Sequence, residues 1–484
     1  MSGTAQPHLT PESADQALAR AQVAAQGKRL GEAGGICNDV LSVTPENPSA
    51  TALLGIVHAH QGNVERAIEL LEKATKRQAG VAAWHANLCS LYRVTNQIEA
   101  AAEAGREAVR LAPGNPDNLV NLSLALTDLD DREHAIACLL RAIGLNDQHA
   151  DAHLALAQNL LARGELDPGW IEYEWRNQTE AGRGQLPRIT SAPWTGMRIS
   201  RGKILLIGDQ GYGDTIQFAR YIPVVAERCE EVLLGCSAEL APLLARIPGV
   251  SHSFHRWNEI PGHAAYCRLS SLAFMLRTTL ETIPNAVPYL VPEATRVARW
   301  ARWIDARSPR GTPRIGLAWS GRPTHPNDLR RSVRLQRLVP LGRSVPAHFI
   351  SLQKPIPLTD GDVADRLPGL TDLSDELHDF EDTAALIANL DLVITVDTSI
   401  AHLSGALGKP TWIMLSKASD WRWLLDRTDS PWYPTVRLFR QANPGAWDDL
   451  ISQVSHALAD HTWPEATAFQ REHSAAGSDG MPSG

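Results

Sequence analysis

The spacing of apolar residues changes character along this chain. Residues 392–396, Leu-Val-Ile-Thr-Val, form an uninterrupted apolar and β-branched run, the pattern of a strand covered on both faces. Asp397, Thr398 and Ser399 follow with N-cap side chains, and a helix is predicted from about Ile400. The same succession of strand, polar turn and helix recurs at 203–208, where helix patterns at 216–229 and 238–246 flank a strand pattern at 231–236. It starts again at 313–319. Further strands are predicted at 347–352 and 411–415, with helices near 382–390, 400–407 and 447–458. Such alternation predicts doubly wound parallel sheets, here as two successive α/β units.

The first third follows another rule. Segments starting at Ala14, Pro48, Ala82, Pro116 and Ala150 stack at a period of 34 residues. One column then reads Ala33, Ala67, Ala101, Ala135, Gly169, a second Leu54, Leu88, Leu122, Leu156, and a third Val40, Ala74, Ala108, Ala142, with Arg176 as the exception. This is the helix-turn-helix spacing of a tetratricopeptide (TPR) α-solenoid, with Gly62 and Gly164 at the turns. The array is expected over 14–180. Its concave face fits a docking surface for a protein or polymeric partner, with a spacer or a dimerisation arm as the other reading, which leaves homo-oligomers open. The fifth repeat ends in Trp170, Tyr173 and Trp175, as a terminal repeat packing on a neighbouring domain would. A Gly/Pro/Ser/Thr-rich stretch at 182–202 marks the boundary to the α/β half.

Composition narrows the function classes. With 484 residues, 44% hydrophobic, 21% charged and a formal net charge of −8, the chain has an ordinary globular composition, and the charge gives no support for a nucleic-acid or anionic-membrane surface. No apolar run approaches the ~18 residues of a membrane span and the start lacks a secretory pattern, so a cytoplasmic location is expected. The six cysteines form no CxxC pair and read as buried thiols. The tail over 466–484, poor in apolar residues, is expected to be disordered.

Candidate chemistry sits where strands end. A helix opening after Asp397 presents backbone N–H groups and a positive dipole end, which suits a phosphate or diphosphate, although Asp/Thr/Ser caps also occur in plain βα turns. Thr398, Ser399 and His402 belong to that turn. The loop Gly208–Thr215 is not a dinucleotide fingerprint: its later glycines are replaced, and Asp209 and Asp214 would repel a pyrophosphate. A carboxylate there is better suited to general base chemistry, so Asp214 is the candidate base, with an N-cap as its other reading. Gln210, Gly211, Gly213 and Thr215 form the loop around it. After the strand at 313–319, Trp319, Ser320, Gly321, Asn327, Arg331 and Ser332 offer amide, hydroxyl and guanidinium donors for a diphosphate, and Arg330 adjoins them. Gln353 and Lys354 end the strand at 347–352. Asp360-Gly361-Asp362 spells DxD but lies in a polar loop, and no metal site is expected.

Together, GDQGYGDTIQFARY, IGLAWSGRPTHPNDLRRS, FISLQK, VDTSIAHLSGALGKPTW and DWRWLLDRTDSPWYP, in this order after a TPR array, resemble the bacterial TPR glycosyltransferases whose catalytic half is similar to glycosyltransferase family 9, the heptosyltransferases. The resemblance implies a GT-B pair of Rossmann-like domains, an acceptor domain at 200–295 and a nucleotide-sugar domain at 310–462. It also implies inverting, metal-independent transfer from a nucleotide-diphosphate sugar to a protein or glycan acceptor, without a cofactor. By position, Asp214 matches the family's base, and Ser320, Gly321, Asp397, Thr398, Ser399 and His402 match its donor-diphosphate motifs. Trp421, Arg422 and Trp423 match a further motif without an assigned role. Ala264, Tyr266 and Arg268 depart from the pattern, which expects Asp, His and Pro there. That departure keeps open a non-catalytic scaffold or nucleotide-sugar sensor with a degenerate GT-B half.

Overall fold

Five consecutive helix pairs build the N-terminal array: α1 Ala14–Gln26, α2 Leu30–Val43, α3 Pro48–His60, α4 Val64–Arg77, α5 Ala82–Val94, α6 Ile98–Leu111, α7 Pro116–Asp128, α8 Arg132–Leu145, α9 Ala150–Ala162 and α10 Leu166–Tyr173. The computed structural model describes residues 13–460 except 185, 188, 259, 310, 326, 358 and 362–366. The expected tail at 466–484 and Asp362 lie outside the described residues. The chain divides into two units between Ala155 and Leu156, inside α9.

The small-residue column explains how the helices pair. Ala33, Ala67, Ala101 and Ala135 are all fully buried, because a methyl is the largest group that fits between closely approaching backbones. Starts are fixed locally. Asn47 and Asn115 accept hydrogen bonds from Ala50 N (2.9 Å) and Asp117 N (2.9 Å), each just ahead of a proline at the first helical position. Every pair turns through one left-handed residue, and these recur at the repeat period: Lys28, Gly62, Asn96, Asp130 and Gly164, with φ between 59° and 82°. Only two of the five are glycine, so the sequence pattern marked only those two turns.

In the second unit, two all-parallel sheets follow. The first contains β1 Ala192–Pro193, β2 Lys203–Ile207, β3 Glu231–Gly235, β4 Val250–Phe254 and β5 Ala265–Arg268, in the order β1-β5-β2-β3-β4. The second contains β6 Arg314–Ala318, β7 His348–Ser351, β8 Leu370–Thr371, β9 Leu392–Val396, β10 Thr411–Leu415 and β11 Val436–Arg440, in the order β11-β10-β9-β6-β7-β8. The fold is therefore a helical TPR array followed by a pair of Rossmann-like sheets. The helix expected over 216–229 is interrupted: helix Tyr212–Phe218 passes through a 3₁₀ turn into Ile222–Ala226, where Pro223 lacks the N–H needed to continue the ladder. β1, which falls in the boundary stretch 182–202, and β4, β5, β8 and β11 were not foreseen, being short or polar on one face.

Two crevices follow from the strand orders. Strand succession reverses at β2 in the first sheet and at β6 in the second, so ligand space is expected outside the carboxyl ends of the β2/β5 and β6/β9 pairs. The first crevice is occupied by protein. Ser270 N donates to Asp209 Oδ1 (3.2 Å), and Arg176 donates to Ser270 Oγ (2.7 Å) and Ser271 Oγ (2.6 Å) while pairing with Glu174. Arg176, the exception in the repeat columns, is buried by this network. Arg268, one of the departing positions, approaches Asp209 at 4.0 Å.

The turn geometry yields a test. At Gly62 an added Cβ meets nothing within 4 Å, so Gly62→Ala isolates the cost of a left-handed φ in a residue with a side chain. Chemical denaturation is expected to show a loss of about 1–2 kcal/mol, whereas Lys28→Gly, at the equivalent turn, shifts stability the opposite way.

Candidate functional site

The second crevice is open. A cavity of about 770 Å³ lies at the carboxyl ends of β6, β7, β9 and β10 and reaches across to the loop and helix after β2. Its walls include Gly211, Gly213 and Asp214 from the first α/β unit, and Ser320, Gly321, Asn327, Arg331, Gln353, Lys354, Asp397, Thr398, Ser399 and His402 from the second. Four other sequence-derived candidates stand behind the wall. Trp319 is fully buried and its indole donates to Asp360 Oδ2 (3.0 Å). Ser332 Oγ accepts from Gly321 N (2.9 Å) and donates to Asp328 (2.9 Å), and so shapes the turn. Gln210, itself left-handed, is paired with the Tyr173 hydroxyl (3.0 Å), and Thr215 is buried with its hydroxyl toward Asp209 O (3.4 Å).

The anion-suited wall is assembled from three strand ends. Thr398 caps helix Ser399–Ala406, its hydroxyl accepting from Ile400 N at 3.3 Å, so the positive end of that helix faces the cavity. Gln353 Oε1 accepts from the amides of Trp319 (3.2 Å) and Ser320 (3.0 Å), which fixes the turn after β6. Arg331 donates to the carbonyl of Asp397 (3.1 Å) and bridges the ends of β6 and β9. Lys354 is directed to the carbonyl of Leu377.

The opposite wall carries Asp214, at the start of helix Tyr212–Phe218. Its Oδ2 accepts from Gly211 N (2.9 Å) and its Oδ1 pairs with Arg422. Burial pushes the Asp214 carboxyl up, against the pull of the Arg422 guanidinium and the Gly211 amide. This helix packs closely on Ser399–Ala406: a Cβ on Gly213 would stand 2.7 Å from the His402 ring. His402 exchanges a hydrogen bond with Tyr433 through Nδ1 (2.9 Å) and stacks on Trp423 at 5.2 Å. Burial holds its ring neutral, with a pKa well below the usual histidine value, and the nearby arginines act the same way.

Asp420 and Arg422, which also line the cavity, were not among the sequence-derived site residues. Both follow β10, so extending the strand-end rule to that strand would have found them. The motif Trp421-Arg422-Trp423 has a structural logic. Trp421 packs edge-on against Trp170 (5.4 Å) and Tyr173 (5.7 Å), Trp423 stacks on His402, and Arg422 reaches Asp214 between them. Trp170 donates to Thr278 O (2.9 Å), which ties α10 to the α/β half.

Asp397 carries a pH signature. Burial, and then the neighbouring Asp420 carboxylate, push it up to about 6, against Trp423, Arg331 and Arg422. A carboxyl raised in the folded state favours folding while protonated. That contribution is full below the unfolded value near 3.8 and is lost as pH rises through 6. Asp397→Asn removes the titration. Its thermal midpoint relative to wild type should rise between pH 4 and 6 and level off above, and a constant difference over that range would contradict the assignment.

Family models match stretches of both the repeat region and the α/β region. Tetratricopeptide repeat models match residues 38–82, 52–116 and 116–149, and the model for glycosyltransferase family 9 (heptosyltransferase) matches residues 376–420. That last window includes β9, helix Ser399–Ala406, β10 and Asp420. Protein FlbA of Caulobacter vibrioides is 29% identical over 391 residues, which are 73% of this chain and 63% of FlbA, so the match spans less than two thirds of that relative. Among solved structures, pilF of Pseudomonas aeruginosa is 21% identical, with 36% of this chain and 78% of that chain covered and a TM-score of 0.33. YrrB, described as a TPR protein with an unusual peptide-binding site, is 14% identical, with 35% and 87% covered and a TM-score of 0.31. No helix among the described residues is long and apolar enough to cross a membrane. The chain thus resembles the tetratricopeptide-repeat glycosyltransferases, with repeats followed by an α/β half similar to glycosyltransferase family 9.

Proposed function

We propose that the chain transfers a sugar from a nucleotide-diphosphate donor to a hydroxyl or amide of a protein or glycan acceptor, through a GT-B arrangement of its two Rossmann-like sheets. The observation that carries this reading is the single cavity that sets Asp214 opposite the N-terminus of helix Ser399–Ala406, Ser320-Gly321 and Arg331. The donor diphosphate would lie on the second sheet, where the helix dipole and the guanidinium offset the charge that grows on it as the sugar departs. Tyr433 donating into His402 Nδ1 would leave Nε2–H as a further donor. Asp214 would take the proton of the acceptor as its oxygen or nitrogen attacks the anomeric carbon from the face away from the diphosphate, which inverts that carbon. With charge neutralised by arginine and helix dipole, the step needs no metal. The repeats would recruit the acceptor.

A non-catalytic scaffold or nucleotide-sugar sensor is the second reading. It is favoured by the ion pair that occupies Asp214 and by the filled crevice of the first sheet.

A thermal-shift screen against UDP, GDP, ADP, CMP and dTDP and their sugar conjugates, with and without magnesium, tests the donor site. Stabilisation by one diphosphate, independent of magnesium, is expected, and no shift with any of them would contradict it. With that donor, Asp214→Asn should lower transfer by about 10²–10⁴-fold while keeping the diphosphate shift. A wild type that binds but transfers to no acceptor would favour the sensor.

A further inference from the structure

Resting on the donor-site reading above, we propose that Arg422 couples donor occupancy to the candidate base: its guanidinium holds Asp214 in an ion pair, and a diphosphate in the cavity draws on that guanidinium and releases the carboxylate to take a proton.

Three features support this. Arg422 is 7% exposed, yet it lines the cavity on the boundary between its two walls. Its named side-chain bonds use three of five N–H donors: Nε to Gln217 Oε1 (2.6 Å), Nη1 to Asp420 Oδ1 (2.8 Å) and Nη2 to Asp214 Oδ1. Anion-binding capacity therefore remains on the fork itself. The backbone beneath it is also held, with Trp421 set among aromatic rings and Trp423 stacked on His402. Arg422 can exchange partners but has little room to swing away.

The charges around Asp214 decide the direction. Burial is the largest influence and opposes its ionised form; Arg422 and the Gly211 amide favour that form, while Asp420 and Asp209 oppose it, and Tyr173 and His325 also lie within electrostatic reach. A bound diphosphate adds negative charge beside the one guanidinium that pairs with Asp214. The pair weakens, the phosphate repels the carboxylate, and its proton affinity rises. Arg422 is thus a positioning residue that keeps the base masked until the donor is bound. In turnover the acceptor proton goes to Asp214, the acceptor–carbon bond forms, the sugar–phosphate bond breaks, and the diphosphate leaves with the electron pair. By linkage, protonation of Asp214 and diphosphate binding strengthen one another.

The experiment is calorimetric titration of the full chain with the nucleoside diphosphate selected by the thermal-shift screen, at pH 6.5, in two buffers of different ionisation enthalpy. Wild type should take up a fraction of a proton more per diphosphate bound than Asp214→Asn, a nearly isosteric change, most Asp214 carboxylates staying ionised to act as the base. In an Arg422→Gln background the Asp214→Asn change should no longer alter proton uptake, and binding should weaken roughly tenfold. Should Arg422→Gln not fold, the comparison of wild type with Asp214→Asn still decides. Equal proton uptake in these two, with binding intact, overturns the role of Arg422 alone. Absence of diphosphate binding to wild type overturns the donor-site reading and this inference with it.

Discussion

The ion pair between Arg422 and Asp214 is the constraint on which the arrangement of the α/β half turns. A buried ion pair is costly to desolvate, and further hydrogen bonds to its members offset part of that cost. Here each guanidinium nitrogen has an acceptor, with Gln217 and Asp420 joining Asp214, and Gly211 donates to the second carboxylate oxygen. Because Asp214 and Gln217 belong to the first sheet's helix and Arg422 to the second sheet's loop, the same bonds join the two walls of the cavity. Arg220 reinforces the joint from behind, donating to Trp432 O (2.5 Å) and lying over the Tyr433 ring at 4.5 Å. The chemistry proposed for Asp214 therefore cannot be separated from the fit of one sheet against the other.

The two sheets share the order of a four-strand core, β5-β2-β3-β4 and β9-β6-β7-β8, but treat their crevices differently. At the β6/β9 switch point the polar groups face open space, and at the β2/β5 switch point they are consumed by Asp209, Ser270, Ser271, Arg176 and Glu174. An acceptor would thus meet the first sheet at the Gly211–Asp214 loop rather than in its own crevice. The departures at Ala264, Tyr266 and Arg268 fall beside that filled crevice, which gives them a structural context: Arg268 neighbours Asp209 in a network that the last repeat completes.

Most of the architecture was readable from pattern because the signals were strong and local. β9 and β10 were placed to the residue, since five-residue apolar runs ending at polar turns have few other readings. The repeat register was readable because a buried methyl column tolerates little variation. The edge strands β4 and β8 were not, because Val-Ser-His-Ser-Phe is polar and half exposed and β8 is only two residues long, so neither leaves an apolar run. At the site, the residues at strand ends were named, but the partnership of Asp214 with Arg422, 208 positions apart, is tertiary and leaves no local trace. Trp319 and Ser332 show the converse: they lie at the expected strand end but turn inward to hold the loop that lines the cavity.

The most direct test of the account is a crystal structure of the protein with a nucleoside diphosphate bound. The account predicts the phosphates between Ser320-Gly321 and Thr398-Ser399, within hydrogen-bonding distance of Arg331 and facing Asp214. Phosphates bound away from the β6/β9 crevice would contradict it.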